Sequence, residues 1–466
     1  MAEEEVNIQE QFEQLLEKRN DAAIGEFLNQ QNISDVAELV EKNEDKETEI
    51  FLHLSMHRAV SLFKILDHSI QKNIIKALPP TKSAELLNVM QADDRTAFLE
   101  DLPNEVVREL VKALDPEERK VTLSLLGYPE NSVGRLMTPD YVYVRQENTV
   151  AEVLDIIRRV GKDTETIDVI YVIDDHGELL DDIRIREFLL AAPDKKVKDM
   201  MDGRYIELNV HDDQEKANEV FKMNNRVALP VVDDYNVLLG IVTIDDVLWV
   251  ANEEFSEDIQ KIGGTEALDK PYLETPFFSL IKKRVGWLII LFLSEMLTAT
   301  AMAYYNDELA KVIVLTNFIP LIMSSGGNSG SQASTLIIQA MALGDVAMAD
   351  WWRVMRREIL SGFTLGLILG AIGFMRITIW SILMHHGIMT DIYGIHWFLI
   401  ALSVSFSLVG VVLWGSFAGS MLPIMLKKLG ADPASSSAPF VATLVDVTGL
   451  VIFFNVALVF LRGNGL

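Results

Sequence analysis

SSGGNSGSQAST, residues 324–335, lies inside an otherwise apolar run that extends over residues 312–343. The run is long enough to cross a bilayer whose hydrocarbon core is about 30 Å thick. Lipid cannot satisfy the polar groups at its centre, so this stretch is expected to face protein or water. Gly326, Gly327 and Gly330 permit either unwinding or close backbone approach, and Asn328, Ser329, Ser331 and Gln332 supply side-chain oxygens of the kind that line a hydrated-ion path. Tight packing of small residues against a neighbouring helix is an equally open reading. Working outward, residues 285–305, 359–384, 397–426 and 440–461 form four more apolar runs, giving five expected spans.

The last span is introduced by Gly430-Ala431-Asp432-Pro433 and carries Asp446 within it. Carboxylates at or inside a membrane are costly and usually mark function. Asp before Pro also makes a good helix N-cap, and Asp432 can serve in both ways. For Asp446, and for Glu295 in the first span, an internal hydrogen-bonded role is as open as ion contact. Arg376 in the third span either snorkels outward or pairs with a neighbour.

Flanking charge gives an orientation. Lys282, Lys283 and Arg284, then Arg353, Arg356 and Arg357, then Lys427 and Lys428 fall on alternate loops, which marks that side as cytosolic. The opposite loops carry only Lys311 and Arg462, so the C-terminus is expected outside the cell membrane and the N-terminal half within the cytosol. From Ile281 onward there are 11 Lys or Arg against 9 Asp or Glu, whereas the preceding 280 residues hold 30 against 59. Nearly all of the net charge of −27 is therefore extramembrane. Such a field repels nucleic acid and anionic lipid surfaces and attracts divalent cations. The chain has no Cys, which excludes disulfides, thiolate nucleophiles and Cys-ligated metals and leaves oxygen or imidazole for any metal. The acidic start, Met1 to Glu5, lacks the apolar core of a cleavable signal peptide.

The front of the chain repeats in steps of twelve: Leu66-Asp67, Leu78-Pro79, Met90-Gln91, Leu102-Pro103, Leu114-Asp115 and Leu126-Gly127 each close a stretch of helical periodicity. Pro79, Pro103 and Pro116 sit at the joints, where a helix can begin but not continue. A superhelix of short helices is expected. A duplication follows. MTPDYVYV at 137–144 matches MDGRYIEL at 201–208, and VIYVIDD at 169–175 matches ALPVVDD at 228–234. Each copy reads as strand, helix, strand, turn, strand, helix. The copies resemble a tandem CBS pair, the first departing from the pattern with Asp181-Asp182 where the second has Gly240. An acidic helix then carries Glu253 with Glu257 and Glu254 with Asp258, like charges four apart that predict a positive partner, a merely solvated helix face being equally open.

The repeat array, the CBS pair, the acidic connector, PLIMSSGGNSGSQAS at 320–334 and GADPASSSAPFVATLVDVTG at 430–449 together resemble the MgtE family of magnesium channels. Ser329 and Ser331 stand where the family more often has Thr and Asn. The resemblance implies a multidomain membrane protein: an α-helical superhelical N-terminal domain (1–132), two α/β CBS modules (133–199 and 200–252), an acidic connecting plug helix (253–280) and a five-helix all-α transmembrane domain (281–466). It implies a homodimer with the pore at the subunit interface. There Asp432 of each copy holds hydrated Mg²⁺, with Asn328 lining the pore, as suits an ion that surrenders water reluctantly. It further implies that regulatory Mg²⁺ bridges Asp93, Asp94, Asp245, Asp246, Glu253, Glu254, Glu257 and Asp258 and closes the pore. ATP is implied at the CBS pair, with Tyr171 and Arg186 for ring stacking and phosphate contact. No enzyme is expected. An intramembrane aspartic protease using Asp432 and Asp446 is disfavoured because the Tyr-Asp and Gly-x-Gly-Asp motifs of such enzymes are absent from the spans. A coupled transporter of Co²⁺ or Mn²⁺, or a membrane-tethered cation sensor, remains as an alternative.

Overall fold

Six helices begin at residues 56, 68, 80, 92, 104 and 116, one every twelve residues: Met56–Ile65, His68–Ala77, Pro80–Val89, Ala92–Glu100, Asn104–Ala113 and Pro116–Leu125. The structure is a computed structural model describing residues 2–17, 20–100, 102–268, 271–273, 275–305, 313–388, 390 and 392–461. Met1–Asn252 and Glu253–Leu466 are its two compact units.

In the first unit the joint residues Leu66, Leu78, Met90 and Leu114 are buried and join Leu62, Phe63, Ile74, Leu86 and Phe98 in one core. Short helices leave carbonyls without intrahelical partners, and arginines supply donors. Arg95, fully buried, donates to the carbonyls of Leu87 and Met90 at 2.9 and 3.1 Å, and its other nitrogens meet Thr122 Oγ1 and Glu118 Oε2. Arg119 serves the next joint through the carbonyls of Val111 and Leu114.

The duplicated segments fold alike. Strands β1 (Tyr143–Val144), β2 (Val169–Ile173) and β3 (Leu179–Arg184) form one sheet, and β4 (Leu208–Asn209), β5 (Ala228–Val232) and β6 (Leu238–Thr243) the other. In each sheet the first pair is parallel and the second antiparallel. The departure at Asp181 has a structural reason: its buried carboxylate accepts from the backbone amides of Asp182, Asp202 and Gly203 and so ties down the start of the second module. Asp182 pairs with Arg226 at 2.8 Å. At Gly240 a Cβ would crowd the Thr138 carbonyl oxygen at 2.7 Å, so the second copy keeps glycine.

The second unit contains five long helices: Phe277–Tyr304, Ile319–Ala342, Trp351–His385, Trp397–Lys428 and Ala438–Leu461. All but Ile319–Ala342 are apolar enough by length and composition to cross a membrane. The exception is the helix with the polar centre, which lowers its hydropathy although its ends are apolar. The expected run from Val312 resolves into a 3-10 segment, Ile313–Phe318, and this helix. Lys311 and Arg462, used for the orientation, and Val312 lie outside the described residues.

Candidate functional site

The glycines of the polar helix do not unwind it; Ile319–Ala342 is continuous. They bring backbones together. A Cβ added at Gly415 or Gly419, on the helix Trp397–Lys428, would collide with the carbonyl oxygens of Gly326 and Gly330 respectively. Between these contacts Ser329 and Ser416 share a buried hydrogen bond of 2.7 Å. Close packing thus explains Gly326, Gly330 and Ser329.

The remaining hydroxyls hold a loop. Ser331 donates to the Ala438 carbonyl at 3.0 Å and Ser334 to the Ser436 carbonyl at 2.9 Å, fixing the segment that runs from Asp432 into the last helix. Asn328 and Gln332 stay on the exposed face of the helix, where Asn328 Nδ2 lies 3.4 Å from Ser324 Oγ. Glu295 and Arg376 are exposed on their helices and Asp446 is half-buried.

Asp432 caps a short 3-10 turn, Pro433–Ser435, and not the long helix that follows; its Oδ1 accepts from the Ala434 amide at 2.8 Å. Its other oxygen, Oδ2, lies 2.8 Å from Lys261 Nζ. Asp432 is therefore paired with an ammonium. Lys261 comes from the acidic helix, which runs unbroken as Ile244–Ile262 and ends in a turn through Gly264. Gly264 has φ +74, and its position close to Ser437 and Pro439 brings the end of that helix against the Asp432 loop.

Lys261 also pairs with Glu257 one turn earlier, supplying the positive partner that the acidic stripe requires. Burial works against its charge, but Asp432 and Glu257 outweigh that and hold the ammonium above the usual lysine range. Asp258 is pushed up by burial and by Asp432. Glu253 is exposed and Glu254 half-buried on the same helix.

Within the first unit, Asp93, Asp94, Asp245 and Asp246 do come together. Asp93 and Asp94 open the helix Ala92–Glu100, and Asp245 and Asp246 open Ile244–Ile262. Two helix N-termini thus favour carboxylates here. Thr243 Oγ1 lies 2.6 Å from both Asp245 Oδ1 and Asp246 Oδ2. Two further residues, which the sequence does not single out, complete the group. Lys64 Nζ is 3.3 Å from Asp94, 3.2 Å from Asp245 and 4.0 Å from Asp246. Glu165, from the loop before β2, adds a fifth carboxyl.

The group is short of positive charge. Both oxygens of Asp93, which is only 5% exposed, and Oε2 of Glu165 are buried without a hydrogen-bond partner. Burial and then Asp246, Asp94 and Glu165 push Asp93 well above the usual carboxylate range. Burial raises Glu165 to about 7 and Asp246 to about 6. Asp94 is raised too, chiefly by burial, with Lys64 opposing. Asp245 alone is lowered: burial opposes its charge, but Thr243 and Lys64 prevail. Among the described residues no three Asp, Glu or His side chains converge as direct metal ligands.

A cavity of about 250 Å³ in the CBS pair is lined by Asp168, Arg184, Arg186, Asn225 and Arg226, among others. Arg186 is thus at the cavity wall. Tyr171 lies in the middle strand β2, fully buried, edge-on to Tyr141 at 5.9 Å between centroids. It is not among the residues that line the cavity.

A helical array, a CBS pair and a bundle of long apolar helices define a multi-pass membrane protein with a large extramembrane half. Residues 319–456 match the family model MgtE, a divalent cation transporter; residues 31–131 match the MgtE intracellular N domain, and 133–194 and 197–253 match CBS domains. The magnesium transporter MgtE of Thermus thermophilus is 35% identical over 411 residues, covering 82% of this chain and 88% of that protein. The chain belongs to the MgtE family. The soluble part of a magnesium transporter has the same fold as the N-terminal half, with a TM-score of 0.50 at 23% identity over 54% of this chain and 99% of that one. The cytosolic domain of the Mg²⁺ channel MgtE in complex with ATP is similar at 32% identity, TM-score 0.49, over 51% of this chain and 98% of that one.

Proposed function

We propose that this chain is a homodimeric channel that carries Mg²⁺ across the cell membrane, with the N-terminal half in the cytosol, and that cytosolic Mg²⁺ closes it. The observation that carries the reading is the ammonium of Lys261 on Asp432. A carboxylate in the loop before the last membrane helix takes a cation from the end of the connector. When the connector withdraws, the same carboxylate is free for a permeating ion. Mg²⁺ keeps most of its waters when held by one or two carboxylates, so Asp432, with Asn328 on the exposed face of its helix, suits a hydrated ion that must also leave.

The closing signal is read at the acidic faces. Asp93, Asp94, Asp245 and Asp246 carry more negative charge than Lys64 offsets, and Glu253, Glu254, Glu257 and Asp258 extend it along the same helix. Hydrated Mg²⁺ there stabilises the packed state; without it, like-charge repulsion loosens the assembly and frees the connector. The Arg186 cavity is the place for a nucleotide, its arginines meeting the phosphates of ATP. Arg186→Ala is expected to abolish ATP binding in calorimetry.

The test is Mg²⁺ flux through purified protein in liposomes at low and then high Mg²⁺ on the cytosolic face. Flux that high Mg²⁺ suppresses is expected. An absence of flux under both conditions would refute the channel, and dependence on a proton or Na⁺ gradient would make the protein a coupled transporter.

A further inference from the structure

We propose that Lys64 is a tethered counter-ion that holds one of the cation positions of the acidic cluster, so that a divalent ion enters only on the side of Asp93 and Glu165. This rests on the reading of that cluster as a cation-sensing face.

The geometry divides the cluster in two. On one side the Lys64 ammonium lies within 4.0 Å of Asp94 and of the adjacent pair Asp245 and Asp246, which is far from Asp94 in sequence. It joins the helical array to the end of the second CBS module directly. On the other side Asp93 and Glu165 retain buried carboxylate oxygens with no hydrogen-bond partner. A single positive charge cannot compensate five carboxyls, and buried charge without compensation is strongly unfavourable. The second side therefore requires protons or a further cation.

The two sides differ in what can fill them. An ammonium delivered by its own chain competes at an effective concentration in the millimolar range or above, so a free ion does not readily displace it. It also brings one charge where Mg²⁺ brings two, and it leaves no water shell. Removing it would leave Asp94, Asp245 and Asp246 together with no cation, a set of carboxylates suited to a hydrated divalent ion. Lys64 thus fixes how many ions this face takes.

The test counts Mn²⁺ bound to the full chain in detergent, from the electron paramagnetic resonance of the free ion. Lys64→Met is expected to bind one more Mn²⁺ per chain than the unsubstituted protein, and Lys64→Arg the same number. An unchanged count in Lys64→Met would overturn the proposal. Two variants that lower the local repulsion, and so retain the fold, test it independently. Asp93→Asn should bind one Mn²⁺ fewer, whereas Asp94→Asn should lose none, because its position is held by Lys64. Loss of an ion in Asp94→Asn, or no loss in Asp93→Asn, would contradict the division. The counts do not depend on flux. Counts as stated, together with flux that Mg²⁺ fails to suppress, would leave the role of Lys64 standing and remove the gating reading.

Discussion

Lys261 Nζ and Asp432 Oδ2 are 2.8 Å apart, an ion pair that joins the end of the acidic helix to the loop before the last membrane helix. Both side chains are about a third exposed, so its contribution to stability is small. Its consequence is for ions: a carboxylate paired with ammonium is withheld from Mg²⁺. Asp432→Ala is expected to abolish Mg²⁺-dependent growth of cells starved of Mg²⁺ while membrane expression is retained. Lys261→Met, which frees the carboxylate, is expected to raise flux at high cytosolic Mg²⁺. Undiminished growth in the first variant would leave Asp432 as a turn cap only.

Gly419 packs so closely on Gly330 that a methyl group has no room. Gly419→Ala is expected to force the two helices apart and cost about 1–3 kcal/mol. The check is the melting temperature of the detergent-solubilised protein, which should fall, with Ser334→Ala falling less because it loses one hydrogen bond to the Ser436 carbonyl.

Arg95 is fully buried and serves two carbonyls, a hydroxyl and Glu118. Arg95→Met leaves the buried carbonyls of Leu87 and Met90 without this donor, and a buried acceptor left unsatisfied costs about 1–3 kcal/mol; Glu118, partly exposed, regains water. Chemical denaturation of the full chain should show the helical array unfolding at lower denaturant, with the membrane helices unaffected by circular dichroism.

Local patterns were the legible part. The twelve-residue step fixes the six helix starts because each joint spends one apolar residue on the core and one turn on the corner, a relation confined to neighbouring residues. The duplication and the five long helices are legible for the same reason. The four aspartates of the cluster could be named as candidates, but Lys64 and Glu165 could not. Lys64 is 181 residues from Asp245, and nothing local distinguishes it from other lysines of the array. The same holds for Lys261 and Asp432. The burial of Tyr171 was not legible either, because a family motif gives position along a strand, whereas burial of the middle strand on both faces is decided by the neighbouring elements. The serines of residues 324–335 suggested an ion path, yet Ser329, Ser331 and Ser334 hold helices and a loop in place, roles set by what lies opposite them.

The acidic cluster also makes acid a substitute for Mg²⁺. Glu165 is raised to about 7 and Asp246 to about 6, each first by burial, and Asp93 lies well above the usual range. Their folded forms bind protons that the unfolded chain, with ordinary carboxyls near pH 4, has already released. The stability that Glu165 and Asp246 confer in this way is therefore fully present below about pH 4 and lost as pH rises through 6 to 7. Lys64, Asp94 and Asp245 face the same groups: Asp94 titrates in the same sense, Asp245 in the opposite sense, and Lys64 stays charged throughout. In chelator, hydrogen exchange of the helix Ala92–Glu100 should be slower at pH 5 than at pH 7.5, after correction for intrinsic rates. Added Mg²⁺ should slow it at pH 7.5 and have less effect at pH 5, where protons already neutralise Glu165 and Asp246. Exchange that is equally Mg²⁺-sensitive at both values would mean that these carboxyls remain charged in acid and that burial does not control their titration.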